Sequence, residues 1–73
     1  MSRQATIYTR EGCGLCREAR SLLERYGFTT QMVDIESDPE LTEKYDTVIP
    51  VVMIDGVERF RGRINETLLR RLL

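Results

Sequence analysis

The order strand, glycine-rich turn, amphipathic helix and strand, complete between Ala5 and Ile35, leaves a chain of 73 residues few ways to fold. Ala5-Thr6-Ile7-Tyr8-Thr9 is β-branched and aromatic and reads as a strand. Gly12 and Gly14 then break the pattern. From Leu15 to Tyr26, the apolar residues Leu15, Ala19, Leu22, Leu23 and Tyr26 recur at helical spacing, with Arg17, Glu18, Arg20, Glu24 and Arg25 largely elsewhere. Gly27 tolerates the left-handed conformation that closes a helix. Phe28 to Ile35, with Phe28, Met32, Val33 and Ile35 as its apolar residues, predicts a second strand. Strand, helix and strand within about thirty residues make a parallel crossover, and such crossovers are right-handed.

Downstream, Ser37-Asp38-Pro39-Glu40 joins a capping side chain, a first-turn proline and an acid near the positive helix end. A short helix from about Pro39 to Tyr45 is expected. Pro50 opens a third strand, Val51 to Ile54, apolar on both faces as a buried central strand is. Asp55-Gly56 signals a type I′ hairpin, after which Val57 to Arg61 returns antiparallel at the sheet edge. Asn65 can cap a last helix carrying Leu68, Leu69 and Leu72. Residues 1–73 are therefore expected to form one α/β domain, β-α-β-α-β-β-α, with a four-stranded mixed sheet and helices on both faces. A composition of 41% hydrophobic and 32% charged residues suits a packed core rather than disorder.

Charge and hydropathy exclude several functions. A net charge of -1, from 11 basic and 12 acidic residues, gives no pull toward nucleic acid or an anionic membrane. The longest apolar run, Val48 to Ile54, is too short to cross a bilayer and contains Pro50. The first residues, Met1-Ser2-Arg3-Gln4-Ala5, lack the apolar segment of a secretory signal, so the cytoplasm is the expected compartment. With only 2 cysteines the chain is not a disulfide scaffold. Two cysteines separated by two residues, in a reducing compartment, point to redox chemistry or metal binding.

Thr9-Arg10-Glu11-Gly12-Cys13-Gly14-Leu15-Cys16 places Cys13 where the first strand turns into the first helix. Backbone N–H groups there are unpaired and partly positive, so a thiolate is stabilised and its pKa falls below the free value of about 8.5. Arg10 and Arg17 add to this, and Glu11 opposes it if turned inward. Cys16 lies nearly one helical turn on, on the same face, where it is expected to be more buried and protonated. In that arrangement Cys13 attacks a disulfide and Cys16 resolves the mixed disulfide. Burial of both cysteines as small apolar residues fits Cys16 but not Cys13, which two glycines set at an exposed corner. Metal binding is the chemical rival. With no histidine and no third cysteine, the chain alone does not complete a zinc site, although two chains could share a metal or an iron–sulfur cluster.

Tyr8-Thr9-Arg10 before Cys13-Gly14-Leu15-Cys16, then Val33-Asp34-Ile35-Glu36, Val48-Ile49-Pro50 and Asp55-Gly56, resemble the glutaredoxins of the thioredoxin superfamily in order and spacing, from about Thr6 to Leu72. The resemblance implies that the Ile49–Pro50 peptide is cis and faces the thiol, and that the backbone of Ile49 pairs with a bound peptide or glutathione. It implies that Arg10, where the family commonly carries lysine, lowers the thiol pKa or holds a substrate carboxylate. Other features depart from the family. Gly14 and Leu15 replace its proline and aromatic between the cysteines, and Arg61-Gly62-Arg63-Ile64-Asn65 keeps one glycine of its Gly-Gly pair and has Asn65 for its acid. Arg63 and Asn65 remain candidates for contacting an anionic or peptide substrate, although helix capping accounts for Asn65.

The expected function is thus a glutaredoxin-like thiol–disulfide oxidoreductase. Cys13 and Cys16 are its catalytic, redox-active pair, and Arg10, Gly12, Gly14, Leu15, Ile49, Pro50, Arg63 and Asn65 are its candidate substrate-binding residues. No tightly bound cofactor or metal is expected, with glutathione as a candidate co-substrate. The expected partners are a disulfide-containing protein or a glutathione mixed disulfide, and an electron donor, either glutathione or a thioredoxin reductase. Neither nucleic acid nor membrane is among them, and the chain is expected to be a monomer. A cluster carrier acting as a dimer and a non-catalytic interaction module of the same fold are the alternatives. Arg59, Arg61 and Arg63 are expected to alternate along one face and keep the edge strand soluble. Tyr26, Phe28 and Phe60 are expected in the core, with Asp34, Glu36 and Asp38 as turn and capping groups.

Overall fold

In β1 (Arg3–Thr9) successive side chains alternate, so Ala5 and Ile7 are buried on one face while Gln4, Thr6 and Tyr8 take the other. The computed structural model describes residues 3–73. It pairs β1 in parallel with β2 (Phe28–Asp34) and antiparallel with β3 (Val51–Ile54), and β4 (Val57–Arg61) completes a four-stranded sheet in the order β2-β1-β3-β4. Ile7 stands opposite Met32 on one side and Val52 on the other, which carries one apolar row across the sheet.

That row is covered by α1 (Gly14–Arg25) and α3 (Glu66–Arg71), whose Leu23 and Leu69 pack with Phe28, Val52, Ile54 and Phe60. Each such aliphatic side chain contributes roughly 1.5–3 kcal/mol of transfer free energy when fully buried. The opposite face carries a 3-10 turn (Ile35–Ser37) and α2 (Pro39–Tyr45), where Ile35, Tyr45 and Val51 are buried with Tyr8, Leu41 and Ile49 packed against them. Helices thus lie on both faces, as the sequence predicts. Turn chemistry is also as predicted. Asp55 and Gly56 take φ 53 and 79, Gly27 takes φ 87 after α1, and Asp38 and Asn65 cap α2 and α3.

Several local expectations are corrected. β2 stops at Asp34, whose carboxylate accepts from the Glu36 N–H at 2.8 Å and starts the 3-10 turn. Ile35 leaves the strand and enters the second apolar cluster. Leu15 is 38% exposed, because the buried stripe of α1 runs through Cys16, Ala19 and Leu23, one residue out of phase with it. Leu68 is 46% exposed, since α3 spans only Glu66–Arg71 and turns Leu69 inward. Tyr26 is half-buried rather than in the core, with Phe28 and Phe60 buried as expected.

The arginine stripe does not form. Val52 pairs with Phe60 and Met53 with Glu58, so Arg59 is an extra, unpaired residue in β4. This bulge puts Glu58 and Arg61 on the same face, where Arg61 Nε donates to Glu58 Oε2 at 2.6 Å. That contact holds the Glu58 carboxyl below its usual range. Arg63 lies past Gly62, which turns the chain at φ 69.

Candidate functional site

Cys13 is the N-cap of α1, with an extended backbone (φ -83, ψ 105) and its Sγ accepting the Cys16 N–H at 3.1 Å. The preceding turn is closed by the Cys13 N–H donating to the Arg10 carbonyl at 3.3 Å, and Gly12 makes that turn at φ 81. No acidic residue occupies the first turn of α1. A sulfur there meets unpaired N–H groups and the positive end of the helix with no carboxylate on that turn to cancel them. Cys16, one turn in, is fully buried while Cys13 is partly exposed. The two sulfurs are bonded, and the Cα atoms stand 5.3 Å apart.

A second wall comes from the loop before β3. The pairing of Tyr8 with Val51 sets Pro50 beside the Thr9 end of β1, from which the chain turns to Cys13. The Ile49–Pro50 peptide is cis, and Pro50 is fully buried. The Gly62 N–H donates to Val48 O at 3.1 Å and to Pro50 O at 2.8 Å, pinning the loop on either side of Ile49. Among the described residues Ile49 itself makes no backbone hydrogen bond. Its N–H and C=O can therefore take an added strand, the usual way an extended peptide binds such an edge.

Two cavities flank the start of α1. Cys13 opens onto the smaller, of about 310 Å³, with Arg10, Glu11, Gly12, Arg17 and Asp34 in its lining. The larger, of about 830 Å³, runs between α1 and the segment before α3, and Gly14, Leu15, Arg17, Arg25, Arg63 and Ile64 line it. The candidate residues thus divide. Arg10 and Gly12 adjoin Cys13, whereas Gly14, Leu15 and Arg63 belong to the other groove. Ile49 and Pro50 form the loop beside β1, and Asn65 borders neither cavity. The Asn65 carboxamide accepts from the Leu68 N–H at 3.2 Å, the capping role that its position before α3 suggests.

Arg10 is not a free cation. Its Nη2 donates to Asp46 Oδ1 at 2.6 Å, and its Nε is sealed from solvent without a partner. The hydrogen bond to Asp46 raises the guanidinium pKa above its usual value, aided by the charges of Asp46, Glu36 and Asp34. Asp46 and Asp34 are functional candidates that sequence reasoning does not reach. Asp46 lies 36 residues from Arg10, and no local pattern links the two. Arg17, which lines both cavities, is signalled only by its place next to Cys16. Among the described residues no group of three or more Cys, His, Asp or Glu side chains is placed to hold a metal ion.

Residues 4–73 match the family described as the glutaredoxin-like domain (DUF836). The chain belongs to that family. An uncharacterised protein of Mycobacterium tuberculosis is 34% identical, with 96% of this chain and 82% of the relative covered. A glutaredoxin-like protein of Dictyostelium discoideum is 31% identical over 82% of this chain and 65% of its own length. Among solved structures, the solution structure of a Nitrosomonas europaea protein superposes with TM-score 0.85, 24% identity, and coverage of 100% of this chain and 93% of that one. The glutaredoxin of Archaeoglobus fulgidus gives TM-score 0.65 and 19% identity over 96% and 85%, a likeness of fold. The glutaredoxin-like domain thus carries the thioredoxin fold with its cysteine pair at the first strand-to-helix turn. No helix among the described residues is long and apolar enough to cross a membrane.

Proposed function

We propose that this glutaredoxin-like protein is a dithiol–disulfide oxidoreductase, with Cys13 as nucleophile and Cys16 as resolving thiol. The observation that carries this reading is Cys13 Sγ at the helix N-cap, partly exposed, with Cys16 buried one turn behind it. In the reduced protein the Cys13 thiolate attacks one sulfur of a substrate disulfide. The substrate S–S bond breaks, the Cys13–substrate bond forms, and the departing thiolate takes a proton from water. Cys16 then gives up its proton and attacks Cys13 Sγ, which releases the second substrate thiolate and leaves the Cys13–Cys16 bond. Two electrons pass to the substrate, and an external dithiol or two thiols such as glutathione return them. The open backbone of Ile49 supports an extended peptide or glutathione as the segment bound beside the sulfur.

The partners that fit are a disulfide-containing protein or glutathione mixed disulfide, and glutathione or a thioredoxin reductase as donor. The protein acts in this reading as a cytoplasmic monomer without a tightly bound cofactor. The test is disulfide reduction coupled either to glutathione with its reductase or to thioredoxin reductase. Cys13→Ser is expected to abolish turnover with both donors. Cys16→Ser is expected to accumulate a mixed disulfide on Cys13, visible as an added mass that a reductant removes. Native turnover by Cys13→Ser overturns the assignment.

A further inference from the structure

Arg10 and Arg17 are the two cations lining the hollow at Cys13, and Glu11 and Asp34 are the anions. That balance is already neutral before the carboxylates behind Arg10 are counted. Asp46 is bonded to Arg10, and Glu36 acts on the same guanidinium. A guanidinium grips a carboxylate best with two N–H groups at once. In Arg10 the Nε is sealed, which closes the side-on grip, and Nη2 spends one of its two N–H groups on Asp46, so an end-on grip through Nη1 and Nη2 has to share Nη2 with that carboxylate. Arg17 makes no ion pair among the described residues and is left as the cation that faces the opening.

We propose that Asp46 is a specificity-determining residue: by holding Arg10 it makes the hollow at Cys13 favour neutral and cationic disulfides over anionic ones such as glutathione disulfide. The inference rests on the reading of Cys13 and Cys16 as the redox pair. Asp46 acts through Arg10 and is thus a positioning residue. The step it biases is the first one, attack of the Cys13 thiolate on a substrate sulfur, with the substrate's charged groups beside Arg10.

The test uses the reduced protein against three disulfides in excess: glutathione disulfide, bis(2-hydroxyethyl) disulfide and cystamine, which are anionic, neutral and cationic. Conversion of the dithiol to the Cys13–Cys16 disulfide is followed by quenching with an alkylating agent and weighing the product. Asp46→Asn is expected to raise the rate ratio of glutathione disulfide to the neutral disulfide about threefold, the effect of about one charge some 6 Å away in largely aqueous surroundings. The cystamine ratio is expected to fall, and both changes are expected to shrink as salt is added. Asp46→Glu, which keeps the charge, is expected to retain the wild-type ratios. Adding Arg10→Gln to Asp46→Asn is expected to remove the gain. An Asp46→Asn ratio within about twofold of wild type, or a gain that survives Arg10→Gln, overturns the inference alone. A wild-type dithiol that none of the three disulfides oxidises overturns the reading of the site, and the inference with it.

Discussion

On the face that carries α1 and α3, apolar side chains continue from Phe28 across Ala5 and Ile7 to Val52, Ile54 and Phe60, and Leu23 and Leu69 close over them. On the opposite face the buried set is Ile35, Tyr45 and Val51, gathered at the end of β1 nearest Cys13. The far end of that face bears Gln4 and Thr6, which with Met53 at the margin of the cluster line a hollow of about 240 Å³. The site draws on both. Cys13 and Cys16 ride on α1 and the larger cluster, while Ile49 and Asp46 belong to the chain leaving α2. One face fixes the sulfurs in place, and in the proposed function the thinner one presents the groups that meet the substrate.

The largest effect is expected in stability, on the face of the larger cluster. Leu23 is fully buried in the larger cluster, and Leu23→Ala leaves a cavity costing about 2–5 kcal/mol. Total stability for a chain of this length is roughly 4–11 kcal/mol, so the variant approaches unfolding at 25 °C. Leu68, on α3 but 46% exposed, is the control, and Leu68→Ala is expected within about 0.5 kcal/mol of wild type. Urea midpoints at constant slope measure both. Equal losses from the two leucines would mean that α3 does not define the boundary of this core.

How much of this asymmetry can be read in the sequence depends on range. Ala5, Ile7, Val52 and Ile54 show themselves by alternation, and Asp55-Gly56, Gly27 and Asn65 by turn and cap chemistry that acts within a few residues. Cys13 is legible for the same reason, because the strand before it and the helix after it fix its corner. Leu15 and Leu68 mislead because helical spacing defines a broad stripe, and only packing decides which edge of it is covered. The bulge at Arg59 has no local signature, since it answers to the register of β3. Asp46 meets Arg10 only when α2 is laid across the sheet, a tertiary event outside any sequence window.

A smaller effect is expected from Tyr45→Leu on the thinner face. Tyr45 packs against Tyr8 with ring centroids 5.0 Å apart and is buried beneath the loop that holds Ile49. Losing the aromatic pair and its shape costs about 1–2 kcal/mol. The functional mark is more telling. Attack on a peptide disulfide is expected to slow severalfold, because Ile49 loses its support, while alkylation of Cys13 by a small reagent keeps its rate. A parallel fall in both rates would show that the two faces do not divide the work as described.

The smallest effect is expected where the two helices of the larger face meet at the surface. Tyr26, at the end of α1, donates its Oη hydrogen to Glu66 Oε2 at 2.8 Å at the start of α3. That hydrogen bond, with desolvation and the Glu66 charge adding, raises the phenol pKa above its usual value of 10.0. Only the protonated phenol can donate, so the bond's contribution is whole below the unfolded pKa of about 10 and is lost as pH rises through the higher folded value. Tyr26→Phe is therefore expected to unfold at slightly lower urea than wild type from pH 7 to 9, and the gap is expected to close at higher pH. Tyr8 and Tyr45 are present in both proteins, so subtracting one from the other isolates Tyr26. A gap that persists unchanged through the alkaline range would show that the loss does not come from the proton Tyr26 shares with Glu66, and the α1–α3 tie would not depend on that hydrogen bond.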